Sequence, residues 1–92
     1  MIGIKFVDLA GGVTKGPKVL PVGQWLRSFN VDAFEGRGEA DWTADPAEAM
    51  AFITHARAFA AWKTQSTIRP LRPDGKPNRP LTAFTVTIEA IP

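Results

Sequence analysis

Ile2, Ile4 and Phe6 alternate with Gly3, Lys5 and Val7 along residues 2–9, the two-residue period of a strand with one buried face. Four glycines with Pro17 and Pro21 then break all periodicity, so residues 11–23 read as a loop or an irregular meander around Val19 and Leu20. Alternation returns over residues 24–31, with Trp25, Phe29 and Val31 on one face and Arg27 near an end or an edge of the strand. After a polar connection containing Gly36 and Gly38, Ala40 and Trp42 oppose Asp41 and Thr43 in a brief third strand.

Asp45-Pro46-Ala47-Glu48 supplies an N-cap acceptor, a proline at the first helical position and an acid able to close a capping box. The helix it predicts continues through Ala49, Phe52, Ala56, Phe59 and Lys63 at helical spacing. One bent helix over residues 46–64 and two short ones, with Thr54 recapping at His55, both satisfy the pattern. Four prolines exclude helix from residues 67–80, where Pro73-Asp74-Gly75 marks a turn. Residues 82–91 close the chain as a strand with Phe84, Val86 and Ile88 on its buried face. The order predicts an α+β fold: a small antiparallel or mixed sheet of three to four strands with helix on one face, the terminal strands being neighbours.

At 92 residues the chain has room for a single small globular domain, 1–92, with a thin core. No apolar run is longer than that of residues 49–53, which falls far short of the roughly 20 residues a membrane span needs, and Asp8 interrupts the N-terminal apolar stretch. With no cysteine there is no disulfide framework and no thiolate site, which fits a cytoplasmic protein.

The inventory of chemical groups points away from catalysis. The one histidine, His55, stands in an alanine-rich stretch, and neither Thr54 nor Ser66 sits in a nucleophile motif, so no triad can be assembled. One histidine without cysteine cannot start a usual zinc site. Six acids lie between residues 32 and 48, but a calcium-loop register begun at Asn30 or Asp32 puts Phe34 where an oxygen ligand belongs. Gly36-Arg37-Gly38 lacks the third glycine and following helix of a dinucleotide fingerprint, and Gly11 to Gly16 lacks the ending of a phosphate loop, so both read as turns. The expectation is no enzyme, no metal and no cofactor.

Charge is divided along the chain. Residues 30–50 carry six acids and one base, net −5, whereas residues 57–79 carry six bases and one acid, net +5, beneath an overall charge of only +2. Either the two segments fold against each other and merely keep the domain soluble, or the basic one is a docking surface for an acidic partner or nucleic acid. On the second reading Arg69, Arg72, Lys76, Asn78 and Arg79 are the candidate contact residues, and Asp32, Glu35, Glu39 and Asp41 form a secondary acidic surface. The carrier is a proline-rich loop of about thirteen residues without regular structure, long for so small a domain. Its prolines either prepare it for a partner or simply stiffen a crossover pinned by Leu71 and Leu81. No aromatic residue interleaves with its arginines, so a base-stacking platform is not supported.

Thr64-Gln65-Ser66-Thr67, the run Arg69-Pro70-Leu71-Arg72-Pro73-Asp74-Gly75-Lys76-Pro77-Asn78-Arg79-Pro80-Leu81-Thr82-Ala83-Phe84, Trp42-Thr43, Asp45-Pro46 and residues 49–52 resemble a group of short proteins encoded by phages and prophages of proteobacteria. The resemblance covers roughly the last two thirds of the chain and transfers no catalytic residue. It implies a non-enzymatic binder of a host protein or protein–nucleic acid complex, including anti-CRISPR and other anti-defence inhibitors. A small nucleic-acid-binding accessory protein using the basic loop, and a virion or assembly component able to form a homodimer, are the alternatives.

Overall fold

A computed structural model describes residues 1–9 and 20–92 of the chain. The irregular stretch expected over residues 11–23 lies mostly outside the described residues, as does the turn expected at Gly11 to Gly16. Four strands, β1 (Ile2–Leu9), β2 (Trp25–Asn30), β3 (Glu39–Thr43) and β4 (Phe84–Ala90), form one antiparallel sheet in the order β3-β2-β1-β4. The terminal strands β1 and β4 are therefore neighbours, as the pattern predicts. Two short helices complete the fold: a single turn, α1 (Ala33–Gly36), and α2 (His55–Trp62). Among the described residues, no helix is long and apolar enough to cross a membrane.

The alternation along β1 and β4 survives folding. Ile4 and Phe6 are almost wholly buried, with Phe84, Val86 and Ile88 packed on the same core. β2 departs from its predicted faces. Leu26 pairs with Trp42 and Phe29 with Ala40, so Arg27 is an extra residue in a β-bulge that resets the phase of the strand. Leu26 and Phe29 consequently share the core face, and Trp25 turns to the other, where it is buried beneath the Lys5 ammonium at 5.0 Å from its ring. Arg27 sits in the middle of an inner strand, its guanidinium 3.8 Å from Asp41 and 3.7 Å from Glu48. The grouping of Trp25 with Phe29 fails because a two-residue period cannot anticipate a bulge.

The helix predicted from Asp45 is also corrected. Asp45 does cap, accepting from Ala47 N–H at 2.9 Å, but only a 3₁₀ turn over Pro46–Glu48 follows. Glu48 turns to the Thr43 hydroxyl and Arg27. Residues 50–52 are then drawn into the end of the sheet: Met50 N–H donates to Leu26 C=O at 2.8 Å, and Ile2 and Phe52 exchange two bonds of 2.9 and 2.8 Å. These partners satisfy backbone groups where β1 and β2 diverge, which outweighs helical propensity locally. Helix resumes at α2, capped by Thr54 accepting from Arg57 N–H at 3.1 Å. Of the two arrangements compatible with the sequence, a break with recapping at Thr54 is the one formed.

Ala58 of α2 is fully buried against the sheet, with Ala61 and Trp62 beside it at helical spacing. Trp42 and Phe84, on opposite edge strands, meet at 5.5 Å with both rings on Phe6. Three strand spacings amount to about 14 Å, so the sheet curls around its own core to bring the two edges' rings together. Trp62 Nε1 donates to Phe84 C=O at 3.1 Å and ties α2 to β4. A 3₁₀ turn over Pro80–Ala83 precedes β4 and takes the first residues of the strand expected from residue 82.

Candidate functional site

Residues 66–80 are more ordered than their prolines imply. Gly75 N–H donates to Arg72 C=O at 2.9 Å and closes the turn predicted at Pro73-Asp74-Gly75, with Gly75 in the left-handed region at φ 83°. Arg72 N–H reaches Lys76 C=O at 2.8 Å, Leu71 and Pro77 bridge, and Asn78 N–H donates to Pro70 C=O at 2.9 Å. The loop holds no α-helix or strand, as expected, but these backbone bonds and one isolated bridge fold it into a narrow hairpin. Its root is closed by Ser66 N–H on Asn78 C=O at 2.9 Å.

The first half of the acidic segment lies along this hairpin. Asp32 Oδ1 accepts from the Ser66 hydroxyl at 2.8 Å, Thr67 N–H at 2.7 Å and Ile68 N–H at 3.3 Å, while Oδ2 accepts from the Thr67 hydroxyl at 2.6 Å. Led by the Thr67 and then the Ser66 hydroxyl, these donors lower the Asp32 pKa to about 2. Four residues on, Gly36 passes so close that a Cβ there would lie 2.5 Å from Arg69 Cβ; at Gly38 the equivalent atom would lie 2.2 Å from Pro80 Cβ. Both glycines have left-handed backbones, φ 89° and 85°. Gly36-Arg37-Gly38 thus presses one arginine onto the hairpin, and Asn78 Nδ2 fastens the join by donating to Gly36 C=O at 2.7 Å and Arg69 C=O at 2.9 Å.

Two hollows that share Arg37, Arg72 and Asn78 result, of about 140 and 370 Å³. Arg37, Arg69, Arg72 and Asn78 line the smaller; Arg37, Arg72, Asn78 and Arg79 line the larger. Arg72 pairs with Asp74 at 3.4 Å, whereas Arg37, Arg69, Lys76 and Arg79 form no ion pair among the described residues. The sequence-predicted contact residues are accordingly divided. Arg69, Arg72 and Arg79 converge; Lys76 is exposed beyond the turn; Asn78 spends its amide within the protein. The acidic residues separate too, Asp32 facing the hairpin root, Asp41 pairing with Arg27, and Glu35 and Glu39 remaining exposed.

Arg37 is the residue that sequence reasoning leaves out. It is the one base among six acids in residues 30–50, and its flanking glycines, which read as an ordinary turn, are the available signal. The turn before it is strained: Phe34 (φ 51°, ψ 48°) and Glu35 (φ 59°, ψ 36°) are both left-handed, which costs roughly 1–2 kcal/mol per residue. Phe34 is nonetheless 67% exposed, with Ile68 at 62% and Leu71 at 55% on the adjoining hairpin.

Elsewhere, Ser66 is buried in hydrogen bonds to Asp32 and Arg69 N–H, and His55 is exposed at the start of α2. A shallow apolar hollow of about 500 Å³ runs between α2 and β4, past Phe59, Trp62, Phe84, Val86 and Ile88. Compared with protein-family models, curated proteins and solved structures, the chain shows no match.

Proposed function

We propose that the chain acts by binding and not by catalysis: it is a phage-type interaction protein that docks on a host macromolecule in the cytoplasm and modulates it, as an anti-CRISPR or other anti-defence inhibitor does. What supports this reading is the convergence of Arg37 with Arg69, Arg72 and Arg79 from two segments of opposite net charge. Guanidinium groups offer forked donors to carboxylates or phosphates, and clustered like charges steer an anionic partner towards them. The hairpin is already hydrogen-bonded, so little ordering entropy remains to be lost on docking.

Affinity capture from a bacterial lysate, with and without nuclease, tests the proposal. The wild-type chain retains a bound host component, and a variant carrying Arg37→Glu, Arg69→Glu, Arg72→Glu and Arg79→Glu loses it. Retention by that folded variant overturns the assignment. A nucleic-acid-binding accessory role is the second reading, favoured by the same arginines; it predicts that captured material disappears with nuclease and that affinity falls steeply with salt.

A further inference from the structure

We infer that this arginine face is built for a protein surface, one with carboxylates around an apolar pocket, and that Phe34 is the side chain that enters the pocket. The inference rests on the binding role just proposed and names its class of partner. Phe34 holds a left-handed backbone that favours glycine, yet it is a large aromatic residue that is mostly exposed. Neither local propensity nor core packing accounts for a phenylalanine there.

Its surroundings supply the rest of an interface. Ile68 N–H contacts Asp32, two residues from Phe34, and Gly36 abuts Arg69, so the turn that carries Phe34 is joined directly to the hairpin. Leu71 lines the smaller hollow with Arg37, Arg69 and Arg72, and the joined segments also carry exposed Phe34 and Ile68. Aromatic and arginine side chains together mark the energetic centres of protein interfaces, whereas nucleic-acid interfaces are more polar. Glu35, exposed beside Phe34, adds a negative charge that a phosphate backbone would meet unfavourably but a protein with mixed rim charges can accommodate.

A display library of short random peptides, panned on the full chain, tests this beside a labelled DNA duplex of two helical turns. Enriched peptides should carry Asp or Glu next to a large apolar residue. Phe34→Gly should weaken their binding about thirtyfold, as removal of an anchoring aromatic does, while leaving the melting temperature unchanged or higher because glycine suits the backbone. Phe34→Ala should weaken binding similarly. Binding indifferent to both substitutions overturns the inference. Duplex binding that depends on the arginines but not on Phe34 also overturns it and leaves the proposed binding role standing. Failure of both probes to bind overturns the inference and leaves the broader role to the lysate-capture test.

Discussion

Asp32 and Ser66, 34 residues apart in the chain, are joined by a 2.8 Å hydrogen bond from the serine hydroxyl to the carboxylate. That contact, with the Thr67 donors beside it, moors the acidic connection between β2 and β3 to the root of the basic hairpin. Because the donors favour the ionised acid, Asp32 titrates near 2 when folded and close to 3.9 when unfolded. Between those values the unfolded chain binds more protons, so acidification favours unfolding. Stability should be fully supported by this group above about pH 4 and decline as pH falls towards 2. Urea titrations across this range should show a smaller decline for Asp32→Asn than for the wild type; equal declines would remove Asp32 as a source.

Gly38 passes under Pro80 with no room for a Cβ and with a positive φ. Gly38→Ala should cost about 2–5 kcal/mol, combining left-handed strain with overpacking. Gly75→Ala is the control, since nothing lies within 4 Å of its added Cβ; only the conformational cost of roughly 1–2 kcal/mol remains. Chemical denaturation of the two variants distinguishes them, and equal losses would contradict the close approach.

Asn78 joins the two sides of the arginine face through a single amide group. Asn78→Ala removes the donors to Gly36 C=O and Arg69 C=O and should cost about 1–3 kcal/mol. If the face is the binding surface, affinity should also fall although Asn78 itself offers the partner no free donor. A stability loss without any change in binding would confine Asn78 to a folding role.

Thr54 and Asp45 cap elements of different length. Thr54→Ala should destabilise by about 1 kcal/mol and lower the helical far-ultraviolet circular dichroism, because it caps the eight residues of α2. Asp45→Ala should leave the helical signal nearly unchanged, since only three residues follow in a 3₁₀ turn. A large helical loss in Asp45→Ala would contradict the break at residues 49–52.

The strands and turns were legible in the sequence where neighbouring residues decide them. Alternation placed β1 and β4, Thr54 offered a cap for α2, and Pro73-Asp74-Gly75 announced the hairpin turn, all through backbone preferences acting within a few residues. The division of charge was legible too, and with it Arg69, Arg72 and Arg79 as candidates. Tertiary structure alone decided that Arg27 bulges and exchanges Trp25 for Leu26 on the core face, because the competing pairings lie on another strand. It also diverted residues 50–52 from helix into the sheet, where backbone groups of Ile2 and Leu26 awaited partners. Above all it set Arg37 against the basic hairpin. No local pattern can specify that meeting, since it depends on Gly36 and Gly38 admitting side chains more than thirty residues away.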